Sequence, residues 1–277
     1  MILGFIGTGA IAEAMIQGFC TAKQPVESVW LSPRNVDRSA RLAQTYRAVQ
    51  VAQDNQGVVD NAEVIFLTVP PCVAVQTLKQ LQFRSGQHLV NCVSTLTQDQ
   101  AKELIVADVK LLKAIPLPPA ARHIGPLSYT PYSDPMQRLL QKIGTPLPAT
   151  SEQQLRIFAC VSAQIAPFYA LQATIQSWLM QRGIDESIAA DYVRTMYHSL
   201  ADNAVQESAP SLKEMMDEAA TNKGLNEQAL QQLTQNGWLE QTHSALDAIH
   251  QRLQNEAESI IPQQAAGHLP LDDLGSA

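Results

Sequence analysis

The chain has 277 residues, of which 45% are hydrophobic, and its formal net charge is −7. This length predicts two domains, because one domain usually takes about 100–200 residues. The negative charge argues against a nucleic-acid partner, which usually meets a basic face. The four cysteines form no CxxC pair and share no zinc-like spacing with the histidines. They are therefore expected to be reduced thiols, as in a cytoplasmic protein, and no metal site is predicted.

No targeting or membrane-spanning segment is predicted. The N-terminus runs directly into an apolar segment, without the basic region of a signal peptide. The most apolar stretch, residues 64–75, is interrupted by Pro70 and Pro71. It falls short of the roughly 18 residues that a membrane helix needs. We therefore expect no membrane partner.

The first half of the chain, residues 1–150, alternates short apolar runs with segments of helical periodicity. Its predicted strands are residues 2–6, 28–31, 64–69, 88–93 and 109–115, with two more near 127–130 and 145–147. The predicted helices are residues 10–21, 36–46, 74–81 and 98–105. Strands that alternate with helices imply crossover connections and a mostly parallel sheet, so this half is predicted to be an α/β domain.

The second half, residues 151–277, has helical periodicity almost throughout. Residues 167–181 are apolar around nearly the whole helix, and such a helix must be buried on all sides. We expect it in the core of a helical bundle, and a bundle shared between two subunits would provide that burial. From about residue 256 the chain contains Pro262, Gly267 and Pro270 and little periodicity, which predicts a loosely held tail.

A glycine-rich motif follows the first predicted strand and opens the first predicted helix. Gly7 permits a tight turn, Gly9 lets the backbone approach a pyrophosphate, and Ala12 lets the helix pack on the strand. The helix N-terminus adds unpaired N–H groups and a positive dipole end. The alternative is an ordinary tight turn, but the position of the motif favours a dinucleotide site. The motif has the pattern GxGxxA and reads Gly7-Thr8-Gly9-Ala10-Ile11-Ala12.

The end of the second predicted strand indicates which dinucleotide binds. NAD-binding domains usually carry an acidic residue there, which holds the ribose 2′-hydroxyl. This chain has Ser32 and Arg34 instead, with Arg38 one turn later. A guanidinium binds a phosphate as a forked donor. The sequence therefore favours NADP (NADPH) and leaves NAD possible; the alternative is that both arginines are simply solvated.

Two further segments lie where open α/β sheets bind ligands, at the carboxyl ends of strands. Thr68, Val69 and Pro70 end one predicted strand, and the proline-rich residues 116–119 follow another. Either segment could instead be a rigid loop. None of the six histidines belongs to a Ser/His/Asp arrangement, so no general acid or base is predicted.

These motifs resemble those of the pyrroline-5-carboxylate reductase family, in the same order from residue 1 to about residue 253. Residues 4–14 are similar to the opening of that family, and Asp54-Asn55, residues 61–69 and residues 113–120 to its next three segments. The motifs that resemble its helical half are Pro167-Phe168-Tyr169, Leu212-Lys213-Glu214 and Asn236-Gly237-Trp238.

The resemblance implies a fold and a reaction. The fold is a Rossmann domain followed by a helical dimerisation domain, which makes a homodimer or a higher oligomer and completes the active site across the dimer. The cofactor donates a hydride to a small-molecule cyclic imine, and the product is proline. An iminium is already electrophilic and protonated, so alignment carries the catalysis, which fits the missing acid or base.

The resemblance also implies site residues. The substrate carboxylate is expected on the turn of residues 221–226, which keeps one of the two glycines of the family. Asn226 stands where the family has a threonine that contacts the ring nitrogen, and is the predicted catalytic residue. The other predicted substrate-binding residues are Thr221, Lys223 and Gly224. The predicted cofactor-binding residues are Gly7, Thr8, Gly9, Ala10, Ile11, Ser32, Arg34, Asn55, Thr68, Val69 and Pro70.

Three functions follow as hypotheses. The first is an NADPH-dependent reductase that makes L-proline from 1-pyrroline-5-carboxylate. The second is an NADP-dependent reductase of another imine or oxo acid, which the altered turn of residues 221–226 would suit. The third is a cofactor-binding protein without catalysis, which is suggested by Leu117-Pro118 in place of a polar pair and by the missing glycines before Pro167.

Overall fold

The computed structural model describes residues 1–206 and 208–259, and the chain divides into two compact units. The first unit comprises Met1–Phe158 together with the described chain from Gln251, and the second is Ala159–His250. The tail predicted from about residue 256 lies, beyond Ser259, outside the described residues.

Eight strands form one sheet in the first unit, in the order β3-β2-β1-β4-β5-β6-β7-β8. Among the described strands all neighbours run parallel except β6 and β7. The order of the first six strands is that of dinucleotide-binding sheets, so the predicted Rossmann α/β class is confirmed. The strands are β1 (Ile2–Ile6), β2 (Ser28–Leu31), β3 (Val49–Val51), β4 (Val64–Leu67), β5 (His88–Asn91), β6 (Lys110–Ile115), β7 (Pro126–Thr130) and β8 (Thr145–Pro148).

Helices connect these strands and predominate in the described chain after β8, so the helical character predicted for the second half is also confirmed. The connecting helices are α1 (Ala10–Thr21), α2 (Val36–Thr45), α3 (Asn55–Asn61), α4 (Pro71–Lys79), α5 (Gln98–Glu103), a 3₁₀ helix (Pro118–Arg122) and α6 (Asp134–Leu140). The helices that follow are α7 (Glu152–Ser162), α8 (Ile165–Met180), α9 (Glu186–Ala204), α10 (Leu212–Ala219), α11 (Leu225–Gln235) and α12 (Trp238–Ser259).

The central strand β4 is apolar at every position because both faces of the sheet are covered there. In β4, Val64 and Phe66 belong to one hydrophobic cluster, while Ile65 and Leu67 belong to the other. This split follows the two-residue period of a strand. Phe66 also stacks on Phe5 of β1, with ring centroids 4.9 Å apart. The continuous apolar runs of the sequence are therefore typical of a parallel sheet.

Several predicted boundaries were wrong, and one strand, two α-helices and the 3₁₀ helix of the first unit were missed. The missed strand is β3, and the missed α-helices are α3 and α6. The helix α3 is capped by Asp54, whose Oδ1 accepts from the N–H of Gly57 at 2.7 Å. The helix predicted at residues 74–81 begins earlier, at Pro71, because proline suits the first turn of a helix. The prolines at positions 70 and 71 thus start a helix rather than form a rigid loop.

The second unit is helical, and α8 packs against α9. Ala189, Ala190 and Val193 of α9 are buried, but no residue of α8 is buried within one chain. The burial expected for residues 167–181 is therefore not provided by this chain alone. Among the described residues, the segment Glu152–Met180 is long and apolar enough to cross a membrane, by length and composition only. A core helix of a soluble protein passes the same test.

Candidate functional site

A groove of about 820 Å³ opens at the carboxyl ends of β1 and β4. β1 pairs with β2 on one side and with β4 on the other, so the strand order reverses there. Ligands of open α/β sheets bind at such a switch point. Nine of the eleven predicted cofactor residues line the groove: residues 7–11, Arg34 and residues 68–70.

The glycine turn is folded tightly against the end of β4. Gly7 has φ +97°, and a Cβ there would lie 2.8 Å from the carbonyl carbon of Thr68. A larger residue would therefore strain the backbone and push the two strand ends apart. The Thr68 hydroxyl donates to the carbonyl oxygen of Gly7 at 2.7 Å, which fastens the turn to β4.

The groove offers backbone donors at the start of α1. Gly9 is the N-cap of this helix, and no side chain of the described residues caps it. The first N–H groups of a helix have no partner inside the helix, and they attract anions together with the helix dipole. A Cβ on Gly9 would have only the Thr68 carbonyl oxygen nearby, at 4.0 Å, so the space in front of this backbone is open. The geometry fits a pyrophosphate.

Two predicted ligands lie behind the turn rather than in the groove wall. Ser32 is buried, and its Oγ accepts a hydrogen bond from the N–H of Gly7 at 3.0 Å. The Thr8 side chain is also buried, with its hydroxyl 3.1 Å from that of Ser39, so Thr8 can offer the groove only backbone. Both side chains shape the turn from behind. Asn55, at the start of α3, is not among the residues that line the groove.

The two arginines differ in their surroundings. Arg34 is exposed and lines the groove. Arg38 does not line it; its Nη1 donates to the Thr8 carbonyl oxygen at 2.9 Å. Asp37 lines the groove as well, and sequence reasoning passed over this acidic residue. An acidic residue near this strand end is the usual mark of NAD binding, so Asp37 keeps NAD possible.

Pro116 lines the groove, as its place after a predicted strand suggested, but sequence reasoning missed Cys92, Ser94 and Ile115. These three residues lie at or next to the carboxyl end of a predicted strand, so the carboxyl-end rule would have found them. Burial raises the pKa of the Cys92 thiol to about 12, and Lys113 opposes the shift. The thiol is therefore protonated at neutral pH and is not a nucleophile.

The predicted substrate turn lies between α10 and α11 in the second unit. The N–H of Gly224 donates to the carbonyl oxygen of Thr221 at 2.8 Å, and a Cβ on Gly224 would clash with Thr221. Lys223 has φ +62°, and its N–H donates to Glu227 Oε2 at 2.6 Å. The Asn226 Nδ2 donates to the carbonyl oxygen of Ala219 at 3.2 Å. The turn is ordered by its own contacts.

No group of three or more His, Cys, Asp or Glu side chains in the described part of the chain could hold a metal ion. The groups that the groove presents are backbone N–H donors, the exposed guanidinium of Arg34, the Asp37 carboxylate, the Ser94 hydroxyl and apolar walls. These groups can bind and orient a dinucleotide.

Two family models match the chain. The model described as NADP oxidoreductase coenzyme F420-dependent matches residues 2–95, and the model described as pyrroline-5-carboxylate reductase dimerisation matches residues 152–256. Among solved structures, 1-pyrroline-5-carboxylate reductase from Streptococcus pyogenes superposes with a TM-score of 0.80 at 21% identity, over 92% of this chain and 98% of that one. Pyrroline carboxylate reductase from Plasmodium falciparum, with NADP bound, superposes with a TM-score of 0.79 at 15% identity, over 93% of this chain and 98% of that one. These structures support the fold.

Curated relatives give the same family name. The chain is 26% identical to pyrroline-5-carboxylate reductase of Escherichia coli (strain K12) over 47% of its own length and 49% of that protein. The chain thus spans about half the length of the first such relatives it matches. Identity to the enzyme of Haemophilus influenzae is 24%, over 80% of this chain and 85% of that protein. Identity to the enzyme of Pasteurella multocida is 24%, over 90% of this chain and 95% of that protein. These matches, which fall in both halves of the chain, support a member of the pyrroline-5-carboxylate reductase family.

Proposed function

We propose that this protein is an NADPH-dependent reductase that converts 1-pyrroline-5-carboxylate to L-proline. The observation that carries the proposal is the groove at the end of β1, where an uncapped helix N-terminus and a glycine turn present free backbone donors. Family membership supports the substrate. Residues 1–150 would hold the cofactor, and residues 151–277 would provide the subunit contact and the substrate turn.

The residues of the groove suit a reaction that needs positioning more than proton transfer. NADPH, when bound, supplies the hydride. Residues 7–11 would hold the pyrophosphate through backbone N–H groups. Val69, Pro70, Ile115 and Pro116 would exclude water from the rest of the groove. The iminium carbon accepts the hydride and the ring nitrogen keeps its proton, so no side chain has to donate one.

We propose that residues 221–226 bind the substrate, with Asn226 contacting the ring nitrogen. Because the Nδ2 of Asn226 donates to Ala219, its Oδ1 is the atom left to accept from an iminium N–H. The backbone N–H groups at the start of α11 and the Lys223 ammonium would attract the carboxylate. Since Lys223 and Asn226 depart from the family pattern, reduction of a different imine or oxo acid is the second candidate, and cofactor binding without catalysis is the third.

The test is NADPH oxidation at neutral pH with 1-pyrroline-5-carboxylate, beside a control without substrate and a panel of other cyclic imines and oxo acids. Turnover of the pyrroline to proline is expected. NADPH binding with turnover of another compound alone would replace the first candidate with the second. Binding without any turnover would favour the third.

Replacing Arg34 with alanine should weaken NADPH binding at least tenfold and leave NADH binding nearly unchanged. Only NADPH carries the 2′-phosphate, and a hydrogen bond between charged groups is worth more than about 1.4 kcal/mol, which is tenfold in affinity. Titration of each cofactor into wild type and Arg34→Ala measures the ratio. Equal weakening of both cofactors would show that Arg34 does not bind the phosphate.

We further propose that the protein is a cytoplasmic homodimer, or a higher oligomer, joined through its helical unit. No side chain of α8 is fully buried within one chain, although α8 packs against α9, and a second copy would bury its apolar side chains. The match of residues 152–256 to a dimerisation model supports this. Cys20, Cys72 and Cys92 form no disulfide, as expected in a reducing compartment.

Replacing Tyr169 with aspartate should convert the oligomer to monomer at micromolar concentration. Tyr169 is 62% exposed on α8, and a charge in an apolar interface is strongly unfavourable. Sedimentation analysis without detergent measures the mass. The matched control is Val106→Asp, at a fully exposed apolar residue of the first unit, which should leave the mass unchanged. A monomeric wild type, or one that is stable only with lipid or detergent, would contradict the proposal.

A further inference from the structure

Arg38 of α2 lies behind the glycine turn. Its Nη1 donates to the carbonyl oxygen of Thr8 at 2.9 Å, and the Nδ2 of Asn35 reaches the same oxygen at 3.5 Å. Although the neighbouring residues 34–37 line the groove, Arg38 does not. The guanidinium is therefore directed at the backbone of the turn and not at the space that a dinucleotide would occupy.

The position of the Thr8 oxygen determines where the next N–H points. In a planar trans peptide the C=O and the N–H point in opposite directions. Because Arg38 holds the carbonyl of Thr8 on the side away from the groove, the N–H of Gly9 is turned toward the groove. This N–H has no hydrogen-bond partner among the described residues. The preceding peptide is held in the same way, since the Thr68 hydroxyl donates to the Gly7 carbonyl oxygen.

A carboxylate fixes the guanidinium in turn. Glu13, in the first turn of α1, places its Oε2 2.8 Å from the buried Nε of Arg38, as an ion pair without hydrogen-bond alignment. Glu13 Oε1 also accepts from Arg41 Nη2 at 2.7 Å. The side chains of Glu13 and Arg38 are 24% and 30% exposed, whereas that of Arg41 is 60% exposed. Arg41 contacts Glu13 only from the outside and does not reach the turn.

We propose that Glu13 and Arg38 are positioning residues that set the Thr8–Gly9 peptide for the pyrophosphate of the dinucleotide, and that Arg38 does not read the 2′-phosphate. The proposal rests on the proposed function, because it assumes that the groove binds a dinucleotide. An anion site made of backbone N–H groups binds best when those groups are already oriented before the ligand arrives. The two residues raise the affinity for every ligand that carries the pyrophosphate, with or without the additional phosphate.

The experiment compares four ligands on the full-length protein by titration calorimetry: NADPH, NADH, ADP and adenosine 2′-monophosphate. Arg38→Met should lower the affinity for NADPH, NADH and ADP by the same factor of about five to ten, which corresponds to the loss of one ordinary hydrogen bond. Adenosine 2′-monophosphate lacks the pyrophosphate, and its binding should not change. Arg41→Met is the matched control, and it should leave all four affinities unchanged.

Two more variants separate positioning from general damage to the fold. Glu13→Gln keeps the shape of the side chain and removes its charge, so it should lower the affinity for the same three ligands by a smaller factor. Arg38→Lys keeps one donor and should restore part of the affinity. Loss of NADPH and adenosine 2′-monophosphate binding with ADP unchanged would overturn the proposal, because Arg38 would then read the 2′-phosphate. Unchanged binding of all four ligands to Arg38→Met would overturn it as well. A wild type that binds none of them would instead refute the proposed function.

Discussion

Replacing Lys113 with methionine is expected to lower the free energy of unfolding by about 2–3 kcal/mol. Lys113 lies in β6 with its side chain only 6% exposed, and its Nζ is 2.9 Å from Glu152 Oε1. The ammonium also donates to the carbonyl oxygens of Ser94 and Leu96. Methionine fills the space of the stem but leaves these acceptors without their donor. Water can hydrate Glu152, which is 22% exposed, so the loss is smaller than for a fully buried pair.

Urea denaturation of wild type and variant measures this loss. Lys110→Met is the matched control, because Lys110 is an exposed lysine of the same strand and its replacement should change stability by less than about 0.5 kcal/mol. Adding Glu152→Gln to Lys113→Met should recover part of the loss, since no unpaired carboxylate is left. If Lys113→Met behaves like Lys110→Met, the ion pair does not stabilise the fold.

The same pair predicts a pH dependence. Burial lowers the pKa of Lys113 below its usual 10.5, and the Glu152 carboxylate opposes the shift. Between the folded and the unfolded pKa the unfolded state binds more protons, so the free energy of unfolding rises with pH in that window, up to about 10.5. The stability of wild type relative to Lys113→Met should therefore increase from neutral pH toward pH 10. A constant difference would contradict the lowered pKa.

The sheet of this protein is largely predictable from local sequence. Strands such as β1 and β2, and the helix α1, have the predicted bounds because an apolar run, a glycine turn and a helical period follow one another directly. β3 was missed because its three residues include Gln50 and because only Val49 is buried, so it carries little hydrophobic signal. Its partner α3 has no long apolar face, and its capping residue, Asp54, was the available signal.

The groove could be predicted only in part, because some of its contacts are distant in sequence. Residues 7–11 follow a motif, and Thr68 follows the carboxyl-end rule. The bond between the Thr68 hydroxyl and Gly7 joins residues 61 positions apart, and Arg38 reaches Thr8 across 30 positions. Hydrophobic periodicity does not predict hydrogen bonds between residues so far apart in the sequence. From the sequence, therefore, Ser32 and Arg34 looked equivalent as phosphate ligands, although one is buried and the other lines the groove.

Gly18, in the last turn of α1, leads to the second large expected effect. Gly18→Ala should destabilise the protein by about 2–3 kcal/mol, although alanine favours a helix by about 1 kcal/mol over glycine. A Cβ at this position would lie 2.3 Å from the carbonyl oxygen of Ala120 and 2.8 Å from Ile143 Cγ2. The first of these atoms is backbone of the 3₁₀ helix, so the clash cannot be relieved by turning a side chain. Moving the 3₁₀ helix away would also displace the His123 ring, whose Nε2 is 3.0 Å from the carbonyl oxygen of Gly18.

The control for this substitution lies at the other end of the same helix. Gly9→Ala adds the same methyl group where the nearest atom is 4.0 Å away and φ is −79°, so the stability of the protein without ligand should change by less than about 0.5 kcal/mol. Urea denaturation of both variants measures their free energies of unfolding. It thereby compares a glycine that lies against neighbouring backbone, Gly18, with one that faces open space, Gly9. Equal stability of the two variants would mean that α1 and the 3₁₀ helix can separate at little cost. In that case Gly18 would not be required for the packing that positions Pro116, which lines the groove just before the 3₁₀ helix.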